Sequence, residues 1–161
     1  MSVPSRIRSS AQYGFTLIEL MVTITVLAVI LMLAVPGFRQ LIESQRLRTA
    51  AFDMVADLTL ARSEALKRGK DVTLKPLTSG TWVDGWQVLV GTEEVSKRNS
   101  VGGGISFASA PNSVVFESSG RVSSSTSTVK FGLRTSDSSR QRCILLDPSG
   151  RPKSISSGCP T

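Results

Sequence analysis

From Phe15 to Phe38 the chain reads FTLIELMVTITVLAVILMLAVPGF, 24 residues that contain one charged side chain, Glu19. At about 1.5 Å of rise per helical residue the run is roughly 36 Å long, enough to cross a lipid bilayer. It divides the chain into a short polar leader, an apolar helix and a larger remainder. Any fold proposed for the sequence has to give that helix an apolar environment.

The leader, residues 1–14 (MSVPSRIRSSAQYG), carries Arg6 and Arg8 and no acid. This basic flank predicts a cytoplasmic leader, with the rest of the chain across the membrane. A secretory signal places its apolar stretch before a small-residue cleavage site. Here the polar segment comes first and ends in Gly14, and Ala34-Val35-Pro36 puts proline where such a cut would fall. A plain single-span anchor would account for length and flank, but two features set this run apart.

The first is Glu19. A charged residue costs about 2.5–3.5 kcal/mol at the centre of a spanning helix and less near the interface, and such residues usually have a partner. A cut after Gly14 would create an α-ammonium on Phe15, one helical turn from Glu19. The same ammonium on a neighbouring subunit could neutralise Glu19 inside a dry assembly. The second feature is Pro36-Gly37, which predicts a local kink or melting of the helix.

The run Gly14-Phe15-Thr16-Leu17-Ile18-Glu19-Leu20 resembles the prepilin cleavage signature of type IV pilins and type II secretion pseudopilins. Glycine precedes the cut, phenylalanine follows it, glutamate stands at the fifth mature position and proline, Pro36, at the twenty-second. The resemblance implies cleavage between Gly14 and Phe15 by a membrane aspartyl prepilin peptidase and N-methylation of Phe15. It also implies that Glu19 sets subunit register against a neighbour's N-terminus. On this reading residues 1–14 are removed and 15–38 form a transmembrane and filament-core helix.

Beyond Pro36 the apolar residues become periodic. Leu47, Ala51, Met54, Val55, Leu58, Ala61 and Ala65 recur at spacings of three and four, the signature of a helix packed on one face. Gln45, Arg46, Arg48, Asp53, Arg62, Glu64 and Lys67 mostly fall on the other side. Lys67-Arg68 before Gly69 reads as a helix C-terminus, cations near the negative end and glycine as the stop. Residues 39–69 are therefore expected to continue the same helix in amphipathic form, to about Arg68.

From Asp71 the period drops toward two. Strands are expected at 72–77, 86–90, 95–98, 105–108, 113–117, 128–133 and 142–147, separated by Gly, Ser, Pro and Asn turns. The Ser/Thr stretch at 123–128 reads as a hairpin loop or an edge strand, and Glu93-Glu94 as a solvated turn. The expected architecture is α+β: the helix stripe against an antiparallel β-rich domain over 70–161.

Composition narrows function. The chain has no histidine, which removes the commonest general base and metal ligand together. No nucleophile motif, phosphate-cradling glycine loop or metal-ligand cluster is present, so no enzyme, cofactor or metal is expected. Trp82, Trp86 and Phe107 are candidates for base stacking but fit a core better. Net charge is +7 with a pI near 10.1, a balance that favours polyanionic partners. Losing Arg6 and Arg8 with the leader would lower it by two.

Cys143 and Cys159, an even pair in an exported chain, are expected to form a disulfide. The loop of roughly 16 residues would add about 3 kcal/mol in the chain-entropy model. Asp147-Pro148-Ser149-Gly150 is a strong turn sequence, followed by Arg151 and Lys153. Between 134 and 153 the cations are Arg134, Arg140, Arg142, Arg151 and Lys153, against Asp137 and Asp147. Such a cluster suits phosphates without sequence preference, with affinity falling steeply as salt rises.

This part of the chain resembles the GspH/FimT family of minor pilins and pseudopilins. The resemblance rests on Ala61–Arg68 (ARSEALKR), Val114-Val115-Phe116 before Gly120-Arg121, and Cys143-Ile144-Leu145-Leu146 before Gly150-Arg151. Competence-associated FimT members carry a glycine-arginine-x-arginine motif implicated in DNA uptake; here it is Gly150-Arg151-Pro152-Lys153. Lysine keeps the charge there and loses the planar fork. The resemblance implies a minor pilin of a type IV pilus, at the tip or in the priming complex. Its partners would be other pilins, the prepilin peptidase, the inner membrane before assembly and double-stranded DNA. DNA contact is expected at Arg140, Arg142, Gly150, Arg151 and Lys153, on a domain that is periplasmic and then displayed on the pilus. A minor pseudopilin of type II secretion would share every feature of the helix.

Overall fold

The structure is a computed structural model that describes residues 14–123 and 127–160. The leader up to Tyr13 and residues 124–126 of the Ser/Thr stretch lie outside the described residues. By internal contacts the chain divides into two compact units, Met1–Arg39 and Gln40–Thr161. Helix α1, Leu17–Arg68, contributes to both.

In the first unit α1 starts with a side-chain cap. The Glu19 amide donates to Thr16 Oγ1 at 3.2 Å, and the Leu20 amide donates to the Thr16 carbonyl at 3.2 Å. Thr16-x-x-Glu19 thus has the spacing of a capping box, which satisfies amides that would otherwise be orphaned. Glu19 lies in the first turn, where the helix dipole favours a negative charge. Thr23 and Thr25 donate their hydroxyls to the carbonyls of Leu20 and Val22, both at 2.8 Å. These polar side chains are therefore satisfied without water, as a lipid-embedded helix requires. The most apolar 18-residue window has a mean hydropathy of 2.7.

The helix continues through Pro36 and Gly37 without interruption. Of the kink or local melting expected from that dipeptide, melting does not occur: proline deletes one hydrogen bond from the ladder, and the residues on both sides remain helical.

In the second unit α1 ends as its sequence predicts: Gly69 adopts φ 61° and its amide donates to the Ala65 carbonyl at 3.0 Å. Two four-stranded antiparallel sheets follow. The strands are β1 (Val72–Thr78), β2 (Thr81–Val90), β3 (Glu93–Asn99), β4 (Ile105–Ser109), β5 (Val114–Phe116), β6 (Val129–Thr135), β7 (Gln141–Leu146) and β8 (Pro152–Ile155). The first sheet has the order β3-β2-β1-β5 and the second β4-β6-β7-β8.

One hydrophobic cluster joins the helix stripe to both sheets. Leu47, Ala51, Met54, Leu58, Ala61 and Ala65 are all buried in it, with Val55 packed at its edge. Trp82, Trp86 and Phe131 enter from the strands, and Phe107 packs against them. Trp82 meets Phe131 edge to face at 5.1 Å and donates its indole N–H to the Pro111 carbonyl at 2.7 Å. The tryptophans are therefore core residues and offer no face for base stacking.

Four details depart from the sequence reading. β2 starts at Thr81 rather than at residue 86. Gly85 looks like a break in the sequence, but its φ of 108° and the Arg98 carbonyl beside its α-carbon mark a close backbone approach inside the strand. Glu93 and Glu94 open β3, and Glu93 accepts from Arg68 Nη1 at 2.7 Å, so the turn falls on Gly91-Thr92 instead. Glu64 is buried on the packed side of α1, held by Arg68 Nε at 2.6 Å. Lastly, β8 was not expected at all.

Candidate functional site

Two regions carry the candidate residues. At the N-terminus, Gly14 and Phe15 precede the first helical turn, and Phe15 is 82 % exposed. Among the described residues, a methyl group added at Gly14 would touch no atom within 4 Å. Glu19 is exposed on the first turn, and Pro36 lies within the helix.

The second region is built on β7, β8 and their connecting turn. Asp147 organises the turn: it accepts from the Ser149 hydroxyl at 2.6 Å and from the Arg151 amide at 2.9 Å. Ser149, and then the Arg151 amide, hold its carboxyl below the usual aspartate range. A second turn of the same form, Glu117–Arg121, lies against it. In both, the glycine amide donates to the carbonyl three residues back, Gly120 to Glu117 at 2.8 Å and Gly150 to Asp147 at 2.9 Å. The Val122 amide donates to the Pro148 carbonyl at 3.2 Å, tying the turns together.

Gly150 is buried at this junction with φ 79°, and a β-carbon there would collide with the Gly120 carbonyl. Its part in the glycine-arginine motif is thus to let two turns meet. Cys143 and Cys159 are disulfide-bonded with Cα atoms 4.9 Å apart. With Lys130 Nζ donating to the Pro160 carbonyl at 2.6 Å, the bond pins the C-terminal tail to the sheet.

The five expected contact residues do not form one patch. Lys153 pairs with Leu145 in the β7–β8 register, so it sits on the face of β7 that carries odd-numbered side chains. Arg142 is on the other face, which also carries buried Ile144 and Leu146. Arg140 and Arg142 instead line a cleft of about 270 Å³ together with Ser44, Arg48 and Ser156. Arg151 and Lys153 occupy the turn and the edge strand, both exposed.

The β6–β7 turn beside the cleft is rigid. Asp137 Oδ1 accepts from the Thr135 hydroxyl at 2.6 Å and from the Ser139 amide at 3.0 Å and hydroxyl at 2.8 Å. These donors, Thr135 first, lower the Asp137 pKa to about 2. Arg48 reached the cleft unnoticed in sequence, where it reads as one more cation on the polar side of a helix. Its signal was its position four residues after Ser44 and next to buried Leu47.

Asp57 was also missed. It is 2 % exposed and accepts from Trp86 Nε1 at 2.9 Å, Arg98 Nε at 2.9 Å and Ser96 Oγ at 3.1 Å. This network fastens α1 to β2 and β3 and is structural. Among the described residues, no group of three His, Cys, Asp or Glu side chains is placed to hold a metal ion.

Comparison with known proteins covers the apolar helix and most of the β domain. Residues 50–150 match the family described as Type II transport protein GspH, and residues 9–35 match the prokaryotic N-terminal methylation motif. Among curated proteins none matches the sequence significantly. Among solved structures the fold is similar to the type IV minor pilin FimU of Pseudomonas aeruginosa. The TM-score is 0.58 at 20% identity, over 69% of this chain and 89% of that one. It is also similar to the minor pseudopilin EpsH of the type 2 secretion system of Vibrio cholerae, with TM-score 0.51 at 14% identity, over 69% of this chain and 97% of that one. With a family match over most of the β domain and a methylation motif at the head of its apolar helix, the chain belongs to the GspH family of minor type IV pilins and pseudopilins.

Proposed function

We propose that the protein is a minor type IV pilin that joins a pilus through its N-terminal helix and binds extracellular double-stranded DNA for uptake. Cleavage after Gly14 releases Phe15 as an N-methylated terminus, and Glu19 registers the subunit against a neighbour. The domain faces the periplasm before assembly and is displayed at the pilus tip or in the priming complex afterwards. The role is structural and binding, with no catalytic step.

The observation that carries the DNA reading is a set of exposed or cleft-lining cations that form no ion pair. Among the described residues, Arg140, Arg142, Arg151 and Lys153 form no ion pair, whereas Arg68 and Arg98 are fully engaged with carboxylates. Cations left free on a tightly bonded scaffold are what non-specific phosphate binding requires. The test is a fluorescence-anisotropy titration of labelled duplex DNA with the full chain in zwitterionic micelles, over a salt series. Affinity should fall steeply with salt, and Arg151→Gln with Lys153→Gln should flatten the slope by up to roughly 2. No binding at low salt would sink the DNA reading and leave the pilin assignment intact.

A second reading, a minor pseudopilin of type II secretion, is favoured by the description of the matched family. Co-purification of the chain with pseudopilins rather than with sheared pili would decide for it.

A further inference from the structure

We infer that the cleft formed by Arg48, Arg140 and Arg142 is a phosphate-binding site and the centre of the DNA contact, with the Gly150–Lys153 turn only accessory to it. The DNA part of this inference rests on the function proposed above.

The cleft brings Arg48 of α1 together with Arg140 and Arg142 of the β6–β7 hairpin, more than ninety positions away in sequence. Ser44, Ser139, Gln141 and Ser156 complete its polar lining, and among the described residues no acidic side chain lines it. Among the described residues none of the three guanidiniums has an ion pair or a side-chain hydrogen bond. The nearest carboxylates in sequence are engaged elsewhere: Glu43 accepts from the Ser136 hydroxyl at 3.0 Å, Asp53 pairs with Arg98 at 3.7 Å, Asp137 accepts from Thr135 and Ser139, and Asp147 from Ser149. Positive charge is thus concentrated in a concave site whose walls are a helix and a hydrogen-bonded turn. Planar guanidinium forks suit the non-bridging oxygens of a phosphodiester.

The turn is weaker on each of these counts. Asp147 lies next to Arg151, and their charges partly cancel. Lys153 brings a point charge without a fork. Lys153 also lies on the opposite face of the sheet from Arg142, so the two cannot grip the same phosphate.

The test compares two sets of variants of the full chain in zwitterionic micelles, by anisotropy with labelled duplex DNA. Arg48→Gln with Arg140→Gln and Arg142→Gln should weaken binding at least tenfold and flatten the salt slope by roughly 2 to 3. Arg151→Gln with Lys153→Gln should weaken it by no more than about threefold. Should the triple variant fail to fold, the single variant Arg140→Gln carries the comparison, with its unfolding curve as control. A wild type that binds DNA while the cleft variants bind equally well overturns the cleft and leaves the DNA function standing. A parallel NMR titration with inorganic phosphate reads the arginine Nε–H resonances. Shifts confined to Arg48, Arg140 and Arg142 support the phosphate site even if DNA binding is absent, a result that overturns only the DNA reading. Phosphate shifts elsewhere, or none, overturn the site.

Discussion

Between Leu17 and Val35 every apolar side chain is exposed, whereas the apolar stripe from Leu47 to Ala65 on the same helix is buried at 3 % exposure or less, apart from Val55 at its edge. The two stretches belong to one helix and differ in where their environment comes from. The second finds its environment within its own unit, in Met54, Trp86 and Phe131 and their neighbours. The first satisfies its backbone and its threonines internally but leaves its apolar surface to be covered by lipid or other subunits. The two stretches thus differ in how far the chain's own residues cover their apolar surface.

Truncation on either side of the divide should expose that difference. Leu58→Ala removes a fully buried side chain and is expected to cost about 2–5 kcal/mol of domain stability. Leu31→Ala, in the exposed stretch, should leave the unfolding of the domain unchanged by circular dichroism. Equal losses in the two variants would show that the first stretch is packed on its own chain.

A smaller effect sharpens the same contrast from the side of the domain, where side-chain hydrogen bonds hold the β6–β7 turn. Asp137 is held at a pKa of about 2 by Thr135 and Ser139, below the usual value of about 3.9. Its contribution is therefore complete above the unfolded value and is lost as pH falls through the folded one. Acid unfolding should show an added loss between about pH 4 and pH 2 that Asp137→Asn abolishes. Because the group is exposed the difference in melting temperature will be slight. A variant with an unchanged acid profile would remove Asp137 from the account of the rigid turn.

The N-terminal region was legible because its signals are local. Gly14, Phe15, Glu19 and the apolar run are contiguous, and the helix C-terminus at Gly69 is written by its neighbours. Seven of the strands show as alternating or apolar segments, with β2 shortened because Gly85 imitates a turn. β8 was hidden because Pro152 opens it and Lys153 and Ser154 are exposed. An edge strand needs no apolar side chains, and proline is tolerated at its first residue. The basic surface was legible only as a count of charges. Its division into a cleft and a turn depends on the face each residue takes in β7 and on Arg48 arriving from α1. The Asp57 network was hidden for the same reason, since its donors come from positions 86, 96 and 98.

The central claim is that this chain is processed after Gly14 and that the new terminus enables assembly. Mass spectrometry of the protein recovered from sheared filaments tests it most directly. The account predicts an N-terminal peptide that begins at Phe15 and carries one methyl group on its α-amine. A subunit that retains Met1, or that begins at any residue other than Phe15, would contradict it.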